Sequence, residues 1–495
     1  MKYHGNLTAC LLAALTLLAA PAQAADPDYG VPLLNPAIPD YVFPAPETAL
    51  LTSVNNADTA AIYRHGWGLW ASLTAPTTRT AYGIADAPVY LTWLTKQDLV
   101  NLSTAATAAT PSATTAGATT RAAASGPGRS LGLKPLSQLR KFGIDSSAPK
   151  PKAATRAAAV TPDTQVFETV AYDPTAAKFI NDNQLFVLST IQALYAAGQA
   201  EIPTFPVTAV SIKPVYKIVS QSELIGGKYY AMPAWPGTPV VTAEIVTSGY
   251  PETAWPGCVY VDVTNPGAST STGIDGACSG QTAASTYGLG DFINYPVTSS
   301  NVAAFNAEGY DVAAGDYLLL MAMHVTSREM AEWTWQTYFW TPAPMNPPLP
   351  SSDAIAAAQP AALSMPAAHY AMSIGYQMIS PNQPINGGNN DGKPVVVYNP
   401  YLESGFNAQV FSVSRPVTDP NTGVAWTGQV GVETNCMTCH SLAAVNFGTG
   451  GGTGYATTFY IGRNDPIFAG TVQTDFLWSI ADVVSSQQTS SAVKK

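Results

Sequence analysis

Charge is what this sequence has least of. Only 11% of its 495 residues are Asp, Glu, Lys or Arg, against about a quarter in an ordinary soluble domain. The balance is acidic, with a net charge of −10, which argues against nucleic acid or an anionic membrane surface as the main partner. Cysteine and histidine are scarce as well, five of each, so any chemistry they perform is confined to a few positions. Beyond the N-terminus no apolar run reaches the ~20 residues of a transmembrane helix, and no membrane span is expected. Polarity comes from Thr, Ser, Asn, Gln and Gly, alongside 40 Pro and 24 Tyr. That is the composition of a loop-rich, β-containing, exported chain.

The N-terminus agrees with export. Lys2 supplies a positive start, Leu11 to Ala20 form an apolar stretch too short to span a bilayer, and Ala22-Gln23-Ala24 ends it with small residues. This pattern predicts a signal peptide over residues 1–24 and a periplasmic or secreted protein. Cys10 lies ahead of the apolar stretch and leaves with it.

Four cysteines remain. Cys258 and Cys278 stand alone in the middle of the chain, and in an oxidising compartment they are expected to form a disulfide. Closing a loop of about 20 residues contributes roughly 3 kcal/mol in the chain-entropy model. The other two belong to Cys436-Met437-Thr438-Cys439-His440. Cys-x-x-Cys-His is the attachment pattern of a c-type haem: one helical turn presents both thiols to the porphyrin vinyl groups, and the following His binds the iron. Zinc would need two further Cys or His ligands at short spacing, and none is nearby. A thioredoxin-like pair would need a βαβ surround, which is absent. The expected cofactor is therefore one covalent haem c, held by Cys436 and Cys439, with His440 as the proximal iron ligand.

No His or Met follows His440, so the second axial position must be filled from upstream or left open. His324 is the first candidate. It sits within the apolar run Tyr317 to Val325, where an unpartnered imidazole would be costly. His65, beside Arg64 in the aromatic stretch Ile62 to Trp70, is the weaker one.

The remaining segments sort by pattern. Residues 25–100 form an N-terminal segment packing on the body, with a helix expected over Asn56 to Ala71 despite Gly66 and Gly68. Residues 101–160 are rich in Ala, Thr, Ser, Gly and Pro and carry eight Lys or Arg against Asp145 alone. They read as a basic, low-complexity, flexible insertion. Residues 161–415 form a β-rich body with one long helix, which opens at Asp173-Pro174 and ends near Gly198. Strands are expected at Val207 to Val219, Tyr229 to Ala234, Val240 to Thr247 and Val259 to Val263. A hairpin is expected over Asp316 to Trp340, with strands at Ala368 to Ile379, Val395 to Tyr398 and Gln409 to Ser414. Residues 416–495 are the haem-binding C-terminal segment, with a helix continuing through Leu442 to Val445 and another over Thr474 to Val484. The fold class is α+β: a β-rich body with a short helical C-terminal c-type haem segment.

Several stretches also resemble a group of exported bacterial monohaem proteins of the "cytochrome c family". They are Met323-His324-Val325, Glu332 to Phe339, Asn399-Pro400-Tyr401-Leu402-Glu403, Cys436 to His440, and Thr474 to Ser479, with Val210 to Tyr216 a looser match. The resemblance extends over about half of the chain. Where the group often continues into Phe-Glu-His, this chain has Tyr338-Phe339-Trp340, which removes one possible ligand. The resemblance implies haem and secretion and no particular substrate. The expected function is one-electron transfer with a redox partner protein or a small-molecule donor or acceptor. The alternatives are a haem enzyme with an open distal site, peroxidase-like or oxidising a small substrate, and a ligand-binding protein whose haem is structural.

Overall fold

The computed structural model describes residues 27–109, 129–136, 163–308, 310–384, 392–413, 415, 417–418, 425–426, 428–448 and 454–493. The class is α+β with a β-rich body. The expected signal peptide and most of 101–160 lie outside the described residues. Of that stretch, 101–109 continues the helix Lys96–Ala109, so the segment does not begin as an insertion at 101, and 129–136 is ordered on the body. Leu131, Leu133 and Leu136 are buried, because three leucines at alternate or near-alternate positions give even this stretch an apolar anchor.

A nine-stranded sheet organises the molecule. Its strands in chain order are β1 (Leu94–Thr95), β2 (Lys134–Pro135), β3 (Phe167–Glu168), β4 (Ala171–Tyr172), β5 (Val210–Val219), β6 (Asn294–Pro296), β7 (Tyr317–Ser327), β8 (Thr334–Trp340) and β9 (Tyr370–Gly375). The antiparallel path runs β1-β4-β5-β7-β8-β9, with β2 on β3, β3 on β5 and β6 on β7. The hairpin expected from the apolar alternation is β7–β8, in which His324 opposes Thr337 and Thr326 opposes Trp335. On the other side Lys213 of β5 opposes His324. Partners across an antiparallel ladder share a face. Ser211, Lys213, His324, Thr326, Trp335 and Thr337 therefore line one surface of the sheet.

The opposite surface is closed by α1 (Thr59–Thr74). Trp70 stacks on Tyr338, ring centroids 4.3 Å apart, and Trp67 Nε1 donates to the carbonyl of Ile355 at 2.7 Å. The two glycines that weaken this helix by propensity are required by its packing. A Cβ at Gly66 would lie 2.5 Å from Ile374 Cδ1, and one at Gly68 would lie 2.0 Å from the Tyr41 ring. Close approach to the sheet outweighs the ~1 kcal/mol each glycine costs in a helix.

Several local expectations differ from what forms. The long helix after Asp173 is two, α2 (Pro174–Asp182) and α3 (Leu188–Ala196). Between them Gln184 takes φ +51°, while Asn183 Nδ2 and Gln184 Nε2 donate to the carbonyls of Phe179 and Asn181. Polar side chains there capture carbonyls near the helix end and stop propagation. The β-branched run expected as a strand at Val240 to Thr247 is instead a short helix, Ala243–Ser248, capped by Thr242 and closed by Gly249 at φ +70°. The Gln409 to Ser414 stretch begins as a single 3-10 turn at Ala408–Val410, and from Val395 to Tyr398 only Val397 forms a bridge, to Asn435. Residues Leu442 to Val445 do not extend the preceding helix: Ala444–Asn446 pairs with Thr471–Gln473 as a two-stranded sheet. Cys258 and Cys278 form the expected disulfide. The two Ala-Trp-Pro-Gly turns meet in space, with Trp235 and Trp255 edge to face at 5.0 Å.

Asp173 ties α2 to the sheet. Its carboxylate accepts from Ala176 N and Thr175 N, capping the helix, and from Val210 N at the start of β5. Burial pushes the carboxyl up from 3.8 to about 6, against the amides that pull it down. The native state thus holds this proton more tightly than the unfolded chain. The resulting contribution to stability is complete below pH ~4 and lost as pH rises through about 6. In urea titrations Asp173→Asn should remove that slope. Asp173→Ala, which strands buried amides, should cost about 1–3 kcal/mol at pH 7.

Candidate functional site

The Cys-x-x-Cys-His residues form α4 (Cys436–Ser441), a single buried turn and a half. A helix this short depends on its cap. Asn435 Oδ1 accepts from Thr438 N at 3.1 Å, and its Nδ2 donates to the carbonyls of Val395 and Gln377. Thr438 Oγ1 donates to the Phe459 carbonyl and Trp478 Nε1 to that of Cys439. These bonds tie α4 to the segments packed around it.

Cys436, Cys439 and His440 line a cavity whose empty space, including the part open to solvent, is about 1010 Å³. Its floor is the sheet surface carrying Ser211, Lys213, His324, Thr326 and Trp335. Its walls include Phe406, Phe411, Tyr455, Leu477 and Trp478, and Lys96, Lys134, Glu168 and Asp482 complete the lining. Burial raises the Cys436 thiol well above its usual range, and the thiol donates to the Val397 carbonyl at 3.3 Å.

His440 is held from behind. Its Nδ1 lies 2.8 Å from the carbonyl oxygen of Phe476. A carbonyl can only accept, so Nδ1 carries the hydrogen and Nε2 keeps its lone pair, the tautomer an iron ligand needs. The ring packs on Trp335 with centroids 4.3 Å apart. Burial, the largest influence, pushes the imidazole down to about 3, with the positive fields of His324 and Lys213 adding to it. The ring is thus neutral across the physiological range.

The Phe476 carbonyl is aimed by an unusual turn. Asp475 and Phe476 both take the left-handed conformation, φ +47° and +69°, sparsely populated for residues other than glycine. Asp475 is buried and held by Arg328 Nε at 3.1 Å, Arg463 Nη2 at 2.9 Å and Phe205 N at 3.3 Å. The Arg463 guanidinium also lies over the Phe476 ring, 5.3 Å from its centroid.

His324 lines the same cavity as His440, but both of its nitrogens are engaged. Nε2 lies 2.7 Å from Glu403 Oε1 and Nδ1 lies 2.8 Å from Thr337 Oγ1. Against an ionised carboxylate Nε2 is the donor, and a protonated nitrogen has no lone pair to offer a metal. Glu403 is itself oriented by Asn399 N, which donates to Oε2 at 2.6 Å. His65 is elsewhere. It is buried on α1, bonded to Tyr376 Oη at 2.6 Å and Glu329 Oε1 at 3.1 Å, and it is not among the residues lining the cavity.

The residues present fit a covalently held haem. Two thiols, an imidazole with a lone pair to give, apolar walls and three lysines occur in one cavity. Among the described residues no group of three or more His, Cys, Asp or Glu gathers as for a directly coordinated ion. Glu403, Trp335, the Phe476 carbonyl and the lysines were not singled out from sequence as site residues. Glu403, Trp335 and Phe476 do fall within the stretches that carry the resemblance, the one signal that pointed near them.

Replacing Asp475 by Asn keeps a residue tolerant of positive φ and removes only the charge between the two guanidinium groups. Loss of one partner from a buried pair should cost about 3 kcal/mol, read as a lower urea midpoint at unchanged m-value. No family model, no curated protein and no solved structure matches this chain.

Proposed function

We propose that this chain is an exported monohaem c-type protein that passes single electrons through a covalently bound haem. The observation that carries this reading is the convergence of Cys436, Cys439 and the lone-pair side of His440 on one cavity, with the other side of the imidazole fixed to a carbonyl. Cys436 and Cys439 would hold the group through thioethers, and His440 would be its proximal ligand. The bound haem supplies a one-electron iron couple. The chain's part is to bury the group and set its potential. The Phe476 carbonyl increases the electron donation of His440, and the apolar walls lower the local dielectric.

One observation favours a second reading, a haem enzyme with an open distal position. His324 donates to Glu403 rather than offering a lone pair, so the cavity holds a hydrogen-bonded acid–base pair on the sheet surface. Such a pair is placed to move a proton for a peroxide or a small oxidisable substrate. The absence of a membrane-spanning helix among the described residues is compatible with either reading.

The test is spectroscopic. The protein produced in a host that attaches c-type haem should retain its haem in acidified organic solvent, and Cys436→Ala/Cys439→Ala should release it. A wild-type protein without covalent haem would overturn the proposal. A low-spin ferric spectrum, indifferent to cyanide and lost in His324→Ala, would assign His324 to the iron and the protein to electron transfer. A high-spin spectrum, retained in His324→Ala and responsive to peroxide, would assign the second reading.

A further inference from the structure

The charged part of the cavity lining is built from a different part of the sheet. Lys134 of β2 opposes Glu168 of β3, Glu168 opposes Val215 of β5, and Lys213 lies two residues from Val215 on the same face. Lys96 follows β1, its amide bonded to the Val170 carbonyl. Glu168 sits between two of the ammonium groups, 2.6 Å from Lys213 Nζ and 4.0 Å from Lys134 Nζ. Lys134 is near enough to Lys96 to disfavour its charge, and Asp482 and Glu168 favour it more weakly. Three cations thus meet the carboxylates Glu168 and Asp482 in a recess where Lys213 and Glu168 are almost wholly enclosed.

Enclosed positive charge in excess is costly unless something neutralises it. The strain is visible at Lys96, which burial first and Lys134 second push down to about 8. A haem fixed by its vinyl edge to Cys436 and Cys439 directs its two carboxylates toward the opposite edge. Lys96, Lys134 and Lys213 line the same cavity as the two thiols and His440, and Lys213 is near enough to His440 to act on its imidazole, so a tetrapyrrole held there would have ammonium groups within reach of its carboxylates.

Resting on the haem reading above, we propose that Lys96, Lys134 and Lys213 are the carboxylate-binding end of the haem site. In this role Glu168 holds Lys134 and Lys213 on the cavity side of the sheet. Charge-assisted bonds from these lysines fix the plane of the group and favour the reduced, less positive iron.

The experiment compares the full-length holoprotein with Lys96→Met/Lys134→Met and with Lys228→Met, a surface lysine paired to Asp262. Covalent haem content should be unchanged in all three, since the thioethers do not involve these lysines. The double variant should shift the reduction equilibrium toward the ferric form by about tenfold, ~59 mV for a one-electron couple. The propionate-bending bands in its resonance Raman spectrum should move, and Lys96→Arg/Lys134→Arg should restore both. Lys228→Met should change neither. A fully loaded double variant with wild-type potential and propionate bands overturns the assignment while leaving the haem reading intact. If that variant does not fold, Lys96→Met alone is read in the same way. A wild-type chain that never acquires haem defeats the underlying reading instead.

Discussion

The hydrogen bond between His440 Nδ1 and the Phe476 carbonyl is the contact on which the rest of the site depends. It decides which nitrogen of the imidazole faces the cavity, and it costs something to make. Two successive residues stand in the left-handed region, each at an expense on the order of 1–3 kcal/mol. The offset comes from Asp475, whose carboxylate is gripped by Arg328 just beyond β7, by Arg463 and by the Phe205 amide. The orientation of one imidazole is thereby referred back to the central sheet.

This gives a meaning to the scarcity of charge. A chain with so few ionisable residues spends several where water cannot reach them. Lys217 pairs with Glu252, Arg328 with Asp475, Lys213 with Glu168 and His65 with Glu329. Buried pairs of this kind stabilise little more than well-packed apolar residues would. What they provide is direction, because a carboxylate between two donors has one favourable geometry. Two of the four pairs border the cavity or the turn behind His440.

The legible parts of the chain were those in which a few adjacent residues carry the whole signal. Cys436 to His440, the Asp173-Pro174 helix start, the Cys258–Cys278 pair and the β7–β8 alternation are all local patterns. His324 was legible as a histidine in need of a partner, but its partner was not. Glu403 lies 79 residues away and reaches it only through the packing of the Asn399–Glu403 turn. Lys134 was hidden for another reason: it sits in a stretch whose composition says disorder, and three leucines override that composition locally. Two of the misread boundaries, after Asp182 and at Thr242, share one cause. Side chains such as Asn183, Gln184 and Thr242 bond to nearby backbone groups and redirect it, an effect that hydrophobic periodicity does not register.

The residues lining the cavity run from Lys96 to Asp482, which bears on how the C-terminal segment is to be regarded. A small autonomous haem domain would close its cofactor site with its own residues. Here α4 supplies only one rim, the floor comes from β5, β7 and β8, and further lining comes from β2, β3 and Lys96 after β1. One continuous apolar core joins these parts, from Trp67 through Trp340 to Val484. The thiols and the imidazole therefore have a cavity to face only after the N-terminal third and the central sheet have come together around them. Any haem held there is set by the geometry of the entire body, which is where control of its potential and of its distal side must reside.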